Sequence, residues 1–263
     1  MTDRVYSASD SQPSLAFLLI DALTLIVRNR LVFLIAALPI AMFAAALAYV
    51  LDADQQFIDY RSHWGWEFLF ALIYAMFLDR WIKETLLDEA SPSEDVDQLR
   101  RALIAPGFLA FAVLFFMLAM ALDWLPLESG VPVVDWLPHL VLWSTTVAFL
   151  ALLLPAMSAA EPLTLSQAWA LARPVRPLLY KLIAGAALLS LAAYAATRWG
   201  LDILPKKPWA PAAMDAAHRF VDCLLLAFVG FGLASVFRQI TGWAPPEPED
   251  HPYRGMGKRR RRA

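Results

Sequence analysis

Six apolar stretches alternate with short polar connections along the chain: Leu31–Leu51, Trp64–Leu78, Gly107–Leu122, His139–Ser158, Leu178–Thr197 and Arg219–Ile240. A helix needs roughly 20 predominantly apolar residues to cross the hydrocarbon of a bilayer, where only intrahelical bonds satisfy the backbone. The pattern predicts an all-α polytopic membrane protein of six transmembrane helices, the shorter second and third extending into their flanks. The longest connection, 79–106, is too short for a separate soluble domain, so residues 1–242 read as one transmembrane domain. The first stretch starts too late and runs too long for the roughly 7–15-residue apolar region of a cleaved signal, and is expected to be retained.

A second pattern sits in front of the odd-numbered stretches. Ser91-Pro92-Ser93-Glu94 is a capping box with proline at the first helical position, and apolar Val96, Leu99, Leu103 and Ile104 follow on one face. Thr164-Leu165-Ser166-Gln167 is another, followed by Ala168, Trp169, Leu171 and Ala172 until Pro174 interrupts. A third segment begins at Ser14 and carries Leu15, Leu18, Leu19, Ala22 and Ile26; its polar face is thin, so it reads either as a surface helix or as an extension of the first span. Cap positions at 14, 91 and 164 suggest three pseudo-repeated units, each a short cytoplasmic interfacial helix followed by a transmembrane hairpin. Even loop lengths alone would give similar spacing.

The segment Leu165-Ser166-Gln167-Ala168-Trp169-Ala170-Leu171-Ala172-Arg173, leading through Arg176 into the fifth stretch, resembles a juxtamembrane motif of a broad group of bacterial six-span inner-membrane proteins. That group includes the membrane domain attached to some glycerophosphodiester phosphodiesterases. The resemblance implies a bacterial inner-membrane location and brings no catalytic residue with it.

Charge then fixes an expected orientation. With the N-terminus in the cytoplasm, Arg4, Arg28, Arg30, Arg80, Lys83, Arg100, Arg101, Arg173, Arg176, Lys181, Arg238, Arg254 and Lys258–Arg262 lie inside. That is 17 of the 22 Lys and Arg, leaving Arg61, Arg198, Lys206, Lys207 and Arg219 outside. The positive-inside rule therefore expects both termini in the cytoplasm. Trp64, Trp66, Trp81, Trp124, Trp136, Trp199 and Trp243 fall at or just beyond the ends of the stretches, where an indole is at home among headgroups, whereas Trp143 lies within one. Composition agrees with the class, with 60% hydrophobic residues, 17% charged residues and a mean hydropathy of +0.54.

Residues 243–263 change character, from a Pro- and acid-rich segment to the basic run Lys258, Arg259, Arg260, Arg261 and Arg262. They are expected to form a disordered cytoplasmic tail, with the basic run, Trp169, Arg173 and Arg176 contacting lipid or a protein partner.

Candidate chemistry is sparse. No phosphate-binding loop, His-Glu-x-x-His, Gly-x-Ser-x-Gly or Cys-x-x-Cys motif is present, and Cys223 stands alone. Neither an enzyme nor a bound cofactor is expected, and nothing in the charge pattern calls for nucleic acid. His63, His139 and His218 open the even stretches on the outer side, and Glu67 and Asp222 follow two of them by one helical turn. Such a set suits a transition metal or a proton-coupled site; the plainer alternative is that the histidines cap helix ends at the interface. Asp79 and Arg80 with Lys83 and Glu84 read as a solvated group just past the second stretch. Pro39 and Pro155 are candidate kinks, and Gly230, Gly232 and the run 184–187 are candidate close-packing positions. Two functions remain open: a non-catalytic scaffold or accessory subunit in contact with lipid, a protein partner or a second copy, or a small transporter or channel for a proton, metal ion or small solute.

Overall fold

The computed structural model describes residues 14–53, 61–87, 106–123, 137–159, 161, 163–203 and 209–244, and every element among them is a helix. In chain order these are α1 (Leu15–Arg28), α2 (Arg30–Ala53), α3 (Arg61–Leu87), α4 (Pro106–Asp123), α5 (Leu137–Leu150), α6 (Leu153–Ser158), α7 (Leu165–Ala172), α8 (Arg176–Ile203) and α9 (Ala210–Thr241). Three of the described helices are long and apolar enough to cross a membrane: α2 over Arg30–Val50, α8 over Arg176–Thr197, and α9. They coincide with the first, fifth and sixth stretches. The remaining stretches fall on α3, α4 and the α5–α6 pair.

α1 is a helix in its own right, separated from α2 at Asn29 and not continuous with it. The Ser14 hydroxyl accepts from the Phe17 N–H at 3.2 Å, and at the far end Asn29 leaves helical geometry while its N–H bonds Leu25 O. At 100° per residue its surface divides into three sectors. Leu18, Ala22, Leu25 and Ile26 are buried, Leu19, Ile20, Leu23 and Val27 are exposed and apolar, and Asp21, Thr24 and Arg28 form an exposed polar edge. A helix lying along a membrane surface, with protein beneath and hydrocarbon to one side, needs that division.

Local breaks follow the prolines. Pro155 has no N–H to offer Ala151 O and its ring crowds that carbonyl, so the helical run stops at Leu150 and resumes at Leu153. Pro174 ends α7 in the same way, whereas α2 continues through Pro39. α7 carries the expected capping box in full, with Gln167 Oε1 accepting from the Thr164 N–H at 2.9 Å. α9 ends at Gly242, whose φ of 63° is the left-handed conformation in which a Cβ is costly, and whose N–H caps Arg238 O. The second expected box, Ser91–Glu94, and the tail from 245 onward, including Lys258–Arg262, lie outside the described residues.

α9 is the hub, packing on α2, α8, α3, α1 and α6. It and α3 contribute to two adjoining apolar cores, one shared with α1 and α2 around Phe33, Phe77 and Cys223, the other with α4 to α8 around Phe108, Leu154, Leu179 and Phe237. Small residues allow the approach: a Cβ on Gly230 would stand 3.1 Å from Leu78 Cδ1 and 3.3 Å from Trp81 Cδ1, and one on Gly232 would collide with Leu182. By contrast nothing lies within 4 Å of the Cβ position of Gly185. Outward faces are apolar, with Ile35, Leu38 and Met42 on α2 and Leu188 and Leu189 on α8 exposed. A soluble domain would cover such faces; these lie on helices long and apolar enough to cross a membrane.

Two expectations fail. Trp81 is buried, its ring stacked on Phe77 and edge-on to Phe33, and is not at a headgroup boundary. Asp79 and Lys83 are buried too, at 2% and 6% exposure, and are not a solvated group. Helix α3 continues unbroken to Leu87, which carries both inward under α6.

Candidate functional site

The first half of α9 reads Asp215, His218, Arg219, Asp222, and helical spacing stacks these as two i,i+4 pairs. In the folded chain Arg219 Nε lies 3.9 Å from Asp215 Oδ1, and His218 Nε2 lies 3.7 Å from Asp222 Oδ1. Side-chain exposure falls from 35% at Asp215 to 13% at His218 and 11% at Asp222, so the ladder leads from the surface into the bundle. The Arg219 guanidinium sits 4.2 Å above the Phe70 ring, and the Tyr194 ring is 5.5 Å from the His218 ring.

At the foot of the ladder Asp222 joins three helices. Its Oδ2 accepts from the Tyr74 hydroxyl at 3.0 Å and its Oδ1 from the Ser190 hydroxyl at 2.5 Å. Tyr74 is at the midpoint of α3 and Ser190 at the midpoint of α8. A carboxylate at such depth costs about 2.5–3.5 kcal/mol on insertion scales, and hydroxyls from two neighbours offset part of that cost while tying α3 and α8 to α9. His218 Nε2 is buried without a hydrogen bond, and at 3.7 Å its contact with Asp222 becomes an ion pair when the imidazole is protonated.

Of the five candidate metal-site residues, the structure thus brings Asp222 and His218 together, as their spacing requires. The side chains of His63, Glu67 and His139 lie outside the described ones, and among the described residues no group of three His, Cys, Asp or Glu converges. Tyr74 and Ser190 were not singled out in the sequence; a hydroxyl inside an otherwise apolar run is the signal that marks each.

A second buried centre lies further along α3. Asp79 Oδ2 meets Lys83 Nζ at 2.7 Å, and Asp79 Oδ1 accepts from the Ser158 hydroxyl at the end of α6, also at 2.7 Å. The i,i+4 pair is locally encoded; Ser158 pins it to the helix created by the Pro155 break.

A third feature is at the surface. Trp169 on α7 is held between the Phe149 ring, 4.6 Å away, and the Arg176 guanidinium, 3.4 Å above it, while Arg176 Nη2 donates to Trp169 O at 2.6 Å. Arg173 is exposed at the end of α7.

The bundle and these centres define a class: an all-helical protein with helices able to cross a membrane and ionisable side chains cross-linking them. No family model, curated protein or solved structure matches the chain.

If Tyr74 and Asp222 interact directly, a double-mutant cycle of Tyr74→Phe and Asp222→Asn gives a coupling of about 0.6 kcal/mol, with about 1.7 kcal/mol as the upper bound for such pairs. Denaturation midpoints in mild detergent measure it. Strictly additive effects would mean that the two side chains do not act on one another.

Proposed function

We propose that the chain is a non-catalytic scaffold or accessory subunit of a bacterial inner membrane, crossing it six times with both termini in the cytoplasm. What supports this reading most is the use made of the buried polar groups. Asp222 and Asp79 each bind side chains of other helices, so they cross-link the bundle, and the hub helix is packed by apolar neighbours on several sides. The recurrence of a capped short helix, a break and a helical hairpin in α1–α3 and again in α7–α9 favours the three-unit arrangement. The resemblance around Trp169 favours the bacterial inner membrane. Photo-crosslinkers placed at Trp169 and at Leu188 are expected to capture one reproducible membrane partner, whose abundance falls when this chain is deleted. Absence of any such partner sinks the scaffold reading.

The ladder from Asp215 to Asp222 favours a second reading, a transporter or channel for a proton, metal ion or small solute. Flux into vesicles carrying the purified chain, abolished by Asp222→Asn, would replace the first reading with the second.

Topology has its own test. In a Cys223→Ala background, single cysteines within 52–62 and 201–213 are expected to react with an impermeant maleimide added outside intact cells. Cysteines within 91–101 are expected not to, and their labelling from that side overturns the orientation.

A further inference from the structure

We propose that the basic and aromatic surface where α7 turns into α8 seats the phosphate of an anionic phospholipid. The inference rests on the reading of α7 as a membrane-surface helix and adds the identity of what it holds there.

Charge comes first. Between Glu161 and Asp202 the chain has no carboxylate, yet it places Arg173, Arg176 and Lys181 within nine residues, across the turn from α7 into α8. Arg173 and Lys181 are exposed, so their charge is not spent on an internal partner in that segment. Geometry comes second. Trp169 is wedged between Phe149 and Arg176, yet keeps 38% of its surface exposed. Arg176 is fixed in turn by its bond to Trp169 O. A fixed indole beside a fixed guanidinium, with exposed Tyr180 one turn further along α8 and exposed Lys181 after it, presents an amphipathic rim and hydrogen-bond donors over the first turns of the helix.

The surroundings select a lipid over free phosphate or an acidic protein. From this rim α8 runs with an exposed apolar face to Leu188 and Leu189, about 18 Å further along its axis. That distance is comparable with one leaflet's half of a hydrocarbon core roughly 30 Å thick. Headgroup and acyl chain therefore meet complementary surfaces on the same helix.

The test uses the full chain purified in mild detergent, with phosphatidylglycerol, phosphatidylcholine and inorganic phosphate added separately, read by native mass spectrometry and by thermal stabilisation. Phosphatidylglycerol is expected to bind and to raise the melting temperature, and the other two are not. Arg173→Gln combined with Lys181→Gln removes two exposed charges without disturbing the Trp169–Arg176 stack. It is expected to weaken phosphatidylglycerol binding about 25-fold, at about fivefold per charge. Arg176→Lys, which keeps the charge but loses the planar stack, separates geometry from charge and is expected to weaken binding while leaving the lipid-free melting temperature within a few degrees. Equal stabilisation by both lipids overturns the headgroup site but leaves the surface-helix reading standing; an equal effect of inorganic phosphate assigns the site to a free anion. Because lipid selectivity is read on the isolated chain, failure to find a protein partner leaves this result intact.

Discussion

Lys83→Met is expected to destabilise the protein by about 3–5 kcal/mol, because it strips a buried carboxylate of the cation placed 2.7 Å from it. Asp79 is almost wholly enclosed, and the Ser158 hydroxyl supplies a hydrogen bond but no charge. The pair itself is a poor source of stability, since taking both charges out of water consumes most of what their attraction returns. Asp79→Leu combined with Lys83→Met is therefore expected to recover most of the loss. Denaturation midpoints of the single and double variants check this. Equal damage from both would show that the pair contributes net stability, and a harmless Lys83→Met would place it in water after all.

The second large effect belongs to the seam between α9 and α3. Gly230→Val is expected to cost about 1–3 kcal/mol, because even its Cβ meets Leu78 and Trp81 at the limit of contact, and its methyls force one of them aside. Trp81 cannot retreat easily, being stacked on Phe77 and crossed by Phe33. Gly185→Ala is the control: with open space around that position, the gain in helix propensity is expected to stabilise by about 0.5–1 kcal/mol. A loss of similar size at both positions would mean that the close contact at the seam is not what sets the cost.

These two sites mark where reading the chain succeeds and where it stops. Caps and proline breaks were legible because each is a matter of a few neighbouring residues, Thr164 with Gln167 and Pro155 with Ala151, whereas the close-packing expectation holds at Gly230 and Gly232 and fails at Gly185, around which the space is open. The pairing of His218 with Asp222, and of Lys83 with Asp79, was equally local. What an i,i+4 spacing does not carry is the surface against which the shared face packs, and so the Asp79 group was expected in water and Trp81 among headgroups. Partners across the bundle were out of reach for the same reason. Tyr74 and Asp222 are 148 residues apart, Ser158 and Asp79 79 residues apart, and Ser190 and Asp222 32 residues apart.

The position of α9 at the hub has a consequence for how the molecule is made. The helix on which α2, α3 and α8 all depend is the last of the described helices to leave the ribosome. Synthesis runs at about 5–20 residues per second, so Ala37 of α2 waits on the order of 10–40 seconds for the segment around Ala227 with which it shares a core. Until then the faces of α2, α3 and α8 that pack on α9, and the Tyr74 hydroxyl, lack the partners that α9 supplies. Assembly is thus expected to be a closing step and not a gradual accretion, with the bundle completed only once α9 is made.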